Sequence, residues 1–321
     1  GYPDRNPQVV IWNGDVYIEA ENSTTISIRG FGTQTLNGRL KADYWELGTD
    51  SGSTGRIFLN DPQNRGRLGV IASYQPYVTC GNTNVLGGGM LRLINGATLN
   101  VYDLKGFDQT LTHFETKTPG PPWTNSTANV SLTSERPATV TLTGRGWGAG
   151  ETGMFKLSGR VSLVCDFTRT AFCQRLLDRT HDTSGTVEVR RGALELAGTT
   201  RFTDLRSLAV GADGELKVTT TGDACVFDRL ESLVVEGRLD ARGAHGDLFG
   251  SEAQTALAIQ GNGAVDAGAG RIVCVRTLTV GGRRLKRGVD YTAADLPGRI
   301  LSGTIRVRPR DPSEGFSVLL R

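Results

Sequence analysis

The stretch SGTVEVRRGALELAG, Ser184 to Gly198, decides the fold prediction for this chain. Its apolar residues alternate with polar ones in two short runs on either side of Gly192, which is the pattern of two short strands joined at a turn. A similar phrase returns as SLAVGADGELKV, Ser207 to Val218, and again as SLVVEGRLDARG, Ser232 to Gly243. The recurrence of one strand–turn–strand phrase indicates a structure built from repeated units.

The repeated phrases align on pairs of apolar residues, and the first members of successive pairs are 21, 25, 24 and 21 residues apart. Apolar columns with glycine at the corners are typical of a β-solenoid, whereas a β-sandwich, the main alternative, gives no reason for the sequence to repeat. We therefore predict an all-β fold, a right-handed parallel β-helix with coils of about 21–25 residues. The first pairs are Val187/Val189, Leu208/Val210, Leu233/Val235, Leu257/Ile259 and Leu278/Val280, and the second pairs are Leu194/Leu196, Leu216/Val218, Leu239/Ala241 and Val265/Ala267.

Longer segments resemble a known family. GATLNVYDLKGFDQTLTHFE, Gly96 to Glu115, resembles the opening of the autotransporter-associated β-strand repeat, and Val140 to Gly198 resembles the repeat itself. Val289 to Val307 is similar to a closing phrase that is common in such proteins. The resemblance implies a secreted or surface-exposed bacterial β-helix and implies no reaction. The residues in phase with the repeat are Phe155, Ser158, Gly159, Val161, Ser162, Leu163, Leu176, Gly185, Thr186, Val189, Gly192 and Leu194.

The organisation of the chain follows from where the repeat is regular. Residues 1–90 match it less well, and we predict N-terminal coils with longer polar loops there. Residues 91–321 are predicted as regular solenoid repeats that end in a basic segment and a strand-like tail. No apolar run among the 321 residues approaches the ~20 that a membrane helix needs. Because the chain opens at Gly1 without an initiator Met, we expect a processed or shortened form.

Residues with catalytic or metal-binding chemistry are sparse. The three histidines, His113, His181 and His245, are far apart, and none has a second His or a Cys at metal-ligand spacing. The chain has no nucleophile-elbow, phosphate-loop or zinc-protease motif. We therefore predict that the protein is not an enzyme and has no cofactor.

One column of charged residues is predicted to point outward from consecutive coils. It consists of the middle residues of the second apolar pairs, Glu195, Lys217, Asp240 and Asp266, which would lie one strand spacing, about 4.8 Å, apart. Both Glu195 and Asp240 are placed to attract Lys217, whereas Asp240 and Asp266 would be adjacent like charges. We interpret the column as a solvated charged face, with a weak Ca²⁺ site at the two aspartates and an acid–base pair as the alternatives.

The five cysteines are Cys80, Cys165, Cys173, Cys225 and Cys274. An odd number leaves at least one thiol free or paired between chains. Cys165 and Cys173 are the closest pair in sequence and are the candidates for a local disulfide. Buried free thiols that act as small apolar residues are the equal alternative.

Positive charge is concentrated near the C-terminus. Residues 271–321 contain eleven Arg or Lys and four Asp or Glu, mainly because of GGRRLKRG, Gly281 to Gly288, and IRVRPR, Ile305 to Arg310. We predict a surface for an anionic partner, such as an acidic glycan or another cell-surface component, or for self-association. Nucleic acid is not expected, because no aromatic stacking platform accompanies the charge. The residues of this predicted surface are Arg283, Arg284, Lys286, Arg287, Arg306, Arg308 and Arg310.

The two ends of the predicted solenoid lead to the functional hypotheses. Both would expose strand edges and apolar core, and neither is preceded or followed by an amphipathic capping helix in the sequence. An acidic start and a basic end would allow copies to stack head-to-tail into a filament. We predict an extracellular or cell-surface structural or adhesive protein that self-associates into a fibre. The alternatives are a non-catalytic glycan-binding module and a β-helix polysaccharide lyase or hydrolase.

Overall fold

The computed structural model describes residues 9–17, 25–30, 33–49, 56–71, 77–94, 100–117, 130–144, 151–153, 155–250 and 254–309. Within these ranges the regular secondary structure is entirely β-strand. The early strands are β1 Val9–Trp12, β2 Val16–Tyr17, β3 Thr25–Gly30, β4 Thr33–Leu36, β5 Leu40–Thr49, β6 Arg56–Leu59, β7 Arg65–Ile71, β8 Tyr77–Cys80, β9 Gly88–Ile94, β10 Asn100–Asp103, β11 Gln109–Leu111 and β12 Phe114–Lys117. The middle strands are β13 Val130–Leu142, β14 Glu151–Gly153, β15 Phe155–Asp166, β16 Cys173–Leu177, β17 Thr180–Thr183, β18 Thr186–Gly198, β19 Arg201–Phe202 and β20 Ser207–Thr220. The late strands are β21 Ser232–Val235, β22 Arg238–Asp240, β23 Ala256–Ile259, β24 Ala264–Asp266, β25 Ile272–Val275, β26 Thr277–Val280, β27 Arg283–Arg284, β28 Val289–Thr292, β29 Ile300–Ser302 and β30 Thr304–Val307.

The strands stack in parallel to form the three faces of a solenoid. Face A contains β1, β4, β6, β8, β10, the first parts of β13 and β15, β17 and β19. Face B contains the second parts of β13 and β15, the first parts of β18 and β20, and then β21, β23 and β26. Face C contains β16, the second parts of β18 and β20, and then β22, β24 and β29. The predicted all-β solenoid of stacked coils is confirmed.

The register of faces B and C matches the alignment made on the sequence. Val187 pairs with Leu208, and the series continues through Leu233 and Leu257 to Leu278. On face C the first members of the second apolar pairs stack in the same way, from Leu194 through Leu216 and Leu239 to Val265. The coil length grows to 30 residues between β10 and β13, where Asn100 pairs with Val130. The predicted division at residues 90 and 91 falls inside β9.

Inward side chains form continuous buried columns. On face B the five aligned residues from Val187 to Leu278 are each at most 1% exposed. A fully buried Val or Leu stabilises the fold by about 1.5–3 kcal/mol relative to an exposed one, so these columns supply most of the driving force. Face A adds an aromatic column that the sequence alignment did not include. It contains His181, Phe202, Phe227 and Phe249, with successive ring centroids 4.4, 5.8 and 6.2 Å apart.

The C-terminal end of the solenoid is covered by antiparallel strands. β27 turns back along the edge of β26 after a turn in which Gly281 and Gly282 have left-handed φ values of 55° and 81°. β28 pairs antiparallel with β30, on the side opposite β25. Leu285, Tyr291 and Leu296 pack against the end of the core. We call residues 281–299 the C-terminal cap. The expectation that this end exposes its strand edges is therefore wrong for β26 and β30, because β27 of the basic segment pairs with β26 and β28, which follows that segment, pairs with β30.

Candidate functional site

The charged column predicted on face C is present in register. Glu195 pairs with Lys217, Lys217 with Asp240, and Asp240 with Asp266. We call these four residues and the arginines that contact them the charged ladder. It is less solvated than predicted, because Glu195 is 8% exposed and Asp266 is 6% exposed. Carboxylates this buried need partners to remain charged.

The partner of Glu195 is an arginine that the alignment did not place in the column. Arg175 Nε and Nη2 donate to the two carboxylate oxygens of Glu195 at 2.9 and 3.0 Å, and Thr219 Oγ1 donates at 2.7 Å. Burial acts to raise the pKa of Glu195, but the bonds from Arg175 and Thr219 outweigh it and hold that pKa below its ordinary value. Lys217, which was predicted to be attracted to Glu195, forms its ion pair with Glu215 at 3.2 Å, and its charge also helps to lower the pKa of Glu195.

The two adjacent aspartates are bridged by two further arginines. Arg242 Nη2 and Nε donate to Asp240 at 2.6 and 2.9 Å, and Arg242 Nε lies 3.4 Å from Asp266 Oδ2. Arg238 Nη2 lies 3.4 Å from Asp240 and 3.6 Å from Asp266. Hydrogen bonds from Arg242 lower the pKa of Asp240. Ser302 Oγ also donates to Asp266.

These contacts decide what the charged ladder can do chemically. A general acid needs a carboxyl whose pKa is raised toward neutrality, whereas the pKa values of Glu195 and Asp240 are lowered. The guanidinium groups of Arg238 and Arg242 already supply positive charge between Asp240 and Asp266, where a Ca²⁺ ion would have to bind. Across the described ranges, no three His, Cys, Asp or Glu side chains gather as a metal site requires. The charged ladder has the geometry of a structural ion-pair network.

The predicted basic surface divides into paired and unpaired residues. Arg283, Arg284 and Lys286 lie exposed on the C-terminal cap, and none of them has an ion-pair partner among the described residues. Arg306, by contrast, donates two hydrogen bonds of 2.7 Å to Asp290 across β28 and β30. Arg287 and Arg308 are half-buried, and Arg310 lies outside the described residues. We call Arg283, Arg284 and Lys286 the basic patch.

All five cysteines are free thiols in the structure. Cys165 and Cys173, the candidates for a local disulfide, therefore fit the alternative of free thiols. Cys80 and Cys165 are fully buried, and burial raises the pKa of both well above the usual thiol range. Burial also raises the pKa of Cys173 to about 11, so its thiol stays protonated at neutral pH.

The three histidines lie in different surroundings. His181 is fully buried in the aromatic column of face A, and its Nδ1 accepts a hydrogen bond of 3.1 Å from the Leu157 N–H. His245 is exposed and lies 2.9 Å from Asp223. His113 is half-buried. The structure therefore does not bring the histidines together into one site.

Two neighbouring cavities lie at the corner between faces C and A. One of about 300 Å³ is lined by Thr180, Thr199, Arg201 and Thr220, together with Asp223. The other, of about 430 Å³, also contains Asp223 and is lined by His245, Asp247 and Arg271. Asp223 lines both cavities, and we call the two together the corner groove. Sequence reasoning missed it, since its residues come from turns that are outside the aligned apolar pairs.

Comparison of the chain with protein families, curated proteins and solved structures gives no match. Among the residues that the structure describes, no helix is long and apolar enough to cross a bilayer.

Proposed function

We propose that the protein is a structural or adhesive β-solenoid of the bacterial cell surface or extracellular space, with no catalytic activity. The proposal rests on the contacts between successive coils. From β18 to β26 the aligned residues stack in one register, while the charges of the charged ladder are neutralised by arginines of the same chain. Because the apolar columns and the ion pairs of the charged ladder connect successive coils, we expect the solenoid to be a stiff rod.

The proposed location rests on two supports. The resemblance of Val140 to Gly198 to the autotransporter-associated β-strand repeat implies secretion or surface exposure. Four of the five thiols are compatible with an oxidising environment, because Cys80 and Cys165 are fully buried and the pKa of Cys173 and Cys225 is raised to about 11 by burial. Oxidation requires an accessible thiolate, which these residues do not offer.

For the adhesive function, we propose that the basic patch binds an anionic partner. Three exposed cations without carboxylate partners among the described residues form a local positive field at one end of the rod, and such fields attract acidic polymers. The partner that we propose for the basic patch is an acidic polysaccharide of the cell surface. The attraction should weaken as salt is added, because exposed charges are screened.

The test is binding of the full chain to immobilised polygalacturonate over a salt series. We expect the Arg283→Gln/Arg284→Gln variant to bind at least tenfold more weakly than the unmodified chain. The matched control is Arg160→Gln/Arg169→Gln, which removes two exposed arginines far from the C-terminal cap and should bind normally. Equal losses in both variants, or release of new sugar ends during incubation, would contradict the proposal.

A second candidate function, glycan binding along the side of the rod, is favoured by the corner groove. Its threonine hydroxyls, Arg201 and Asp223 can donate to and accept from sugar hydroxyls. This candidate predicts that Asp223→Asn weakens binding of a neutral oligosaccharide such as cellotetraose. Loss of polygalacturonate binding only in the Asp223→Asn variant would favour the corner groove over the basic patch.

A further inference from the structure

The smaller cavity of the corner groove contains two polar side chains whose bonding capacity the chain does not use. Its volume is about 300 Å³, and its lining residues all lie within the unbroken described range 155–250. They come from β17, β19 and the turns that follow β18 and β20. Ligand pockets span about 300–1,000 Å³, so a cavity of this size suits one sugar unit rather than a long oligosaccharide. We call it the threonine cavity, because Thr180, Thr199, Thr200 and Thr220 line it.

Thr220 supplies the first unused group. This residue is only 3% exposed, and its Oγ1 has no hydrogen-bond partner among the described residues. A buried hydroxyl without a partner destabilises the fold. The other buried threonine of the cavity shows the usual arrangement, because Thr200 Oγ1 donates to the Leu176 carbonyl at 3.0 Å. The hydroxyl of Thr220 is therefore available to a group that enters the cavity.

Arg201 supplies the second unused group. Its Nε donates to Thr180 Oγ1 at 3.3 Å, and neither Nη1 nor Nη2 has an acceptor among the described residues. Arg201 is half-buried, whereas the residues of the basic patch are exposed. A guanidinium without a carboxylate partner in a partly enclosed cavity attracts an anion, and its two parallel N–H groups match the geometry of a carboxylate.

The turn after β18, which forms one wall of the threonine cavity, is fixed by the chain itself. Gly198 has a left-handed φ of 62°, and a Cβ added there would lie 2.0 Å from Asp178 Oδ1. The same oxygen accepts a hydrogen bond of 2.9 Å from the Thr199 N–H, and the Thr221 N–H donates to the Gly198 carbonyl at 2.8 Å. The wall is therefore formed before a ligand arrives, which reduces the entropy lost on binding.

We propose that the threonine cavity binds one uronate unit of an acidic polysaccharide, with the carboxylate on Arg201 and a ring hydroxyl on Thr220 Oγ1. The inference rests on the proposed function, because it names the acidic sugar that the rod holds and gives it a second site besides the basic patch. Asp223 also lines the cavity, with 93% of its side chain exposed and its carboxylate 2.9 Å from His245 Nδ1. At this exposed position it can accept a bond from another ring hydroxyl, while solvent screens its repulsion of the uronate.

The experiment is NMR titration of the full chain with galacturonate and with galactose, which has a CH₂OH group in place of the carboxylate. We expect galacturonate to bind at least tenfold more tightly, because a neutral sugar leaves the guanidinium of Arg201 without an anion. Arg201→Gln should remove this preference, and Thr220→Val should weaken galacturonate binding at least fivefold. Thr220→Val keeps the shape of the side chain and removes no hydrogen bond seen among the described residues, so we expect this variant to fold.

The matched controls make the same replacements outside the threonine cavity, at the exposed Arg160 and at Thr279 on face B. Arg160→Gln and Thr279→Val should bind galacturonate as the unmodified chain does. Equal affinity for the two sugars, no binding of galacturonate, full binding by Thr220→Val, or an equal loss in the controls would each overturn the inference. Retention of polygalacturonate through Arg283 and Arg284 is measured separately, so the proposed function can stand when the monosaccharide fails to bind.

Discussion

The buried His181 predicts a loss of stability in mild acid. Burial lowers the pKa of His181 from 6.5 to about 3, with Arg179 and Lys156 acting in the same direction and Asp182 opposing them. In the unfolded chain the same imidazole takes up a proton near pH 6.5. As the pH falls below 6.5 the unfolded state binds a proton that the folded state does not, so the free energy of unfolding falls until the folded pKa is reached.

The size of the effect follows from the two pKa values. Below pH 6.5 the free energy of unfolding falls by about 1.4 kcal/mol per pH unit, so about 2 kcal/mol is lost between pH 7 and pH 5. The paired carboxylates Asp182, Glu195 and Asp240 have lowered pKa values. Their unfolded-state protonation acts mainly below about pH 5. The interval from pH 7 to pH 5 therefore separates histidine protonation from protonation of these carboxylates.

The assay is urea unfolding followed by far-UV circular dichroism at pH 7 and pH 5. In His181→Phe the aromatic column of face A is kept, and we expect the loss of about 2 kcal/mol between the two pH values to disappear. This variant also removes the acceptor of the Leu157 N–H, which lowers stability equally at both pH values. His245→Phe, at an exposed position, is the control and should retain the full loss. If His181→Phe loses as much stability as the unmodified chain, the reasoning is refuted.

Two further predictions test how the coils are held together, with thermal unfolding as the measurement. Gly237→Ala would place its Cβ 2.2 Å from a backbone carbonyl oxygen of the preceding coil and should destabilise by about 1–3 kcal/mol, whereas Gly222→Ala, with 3.9 Å to its nearest atom, should not. Equal unfolding temperatures for both would contradict the close approach. Thr200→Val removes a hydrogen bond of 3.0 Å to the Leu176 carbonyl and should cost about 1–2 kcal/mol. Thr220→Val should be neutral or stabilising, because that buried hydroxyl has no partner among the described residues; a large loss there would show that it is bonded.

The alignment of apolar pairs predicted the register because the repeat encodes it locally. Leu208 and Leu233 each come 21 to 25 residues after the preceding member of their column. Each therefore stacks on that residue in the coil before it. The column from Glu195 to Asp266 was predicted by the same logic and is confirmed as a row of neighbours. Its ion pairs were not predicted. A long arginine side chain can reach a carboxylate on a neighbouring strand or turn. Its position within the repeat therefore does not reveal which carboxylate it contacts.

The aromatic column was not found from the sequence because its later members lie outside regular strands. Phe227 and Phe249 contribute single bridges to face A, and a single inward residue produces no alternating pattern. The buried state of His181 was missed for a different reason, because β17 is a strand of only four residues, all of them polar. A histidine in a short polar run looks like a surface residue until stacking on Phe202 shows that it belongs to the core.

The sequence by itself determined that this chain is a solenoid, since inward Leu and Val with glycine at the corners recur once per coil. The tertiary structure decided what happens at its ends. The segment GGRRLKRG has the charge of a docking surface, but its Gly281–Gly282 turn sends β27 back along β26, and Leu285 and Tyr291 cover the core. A repeat describes how one coil packs on the next, whereas the end of the stack depends on which apolar groups can fold over the last coil.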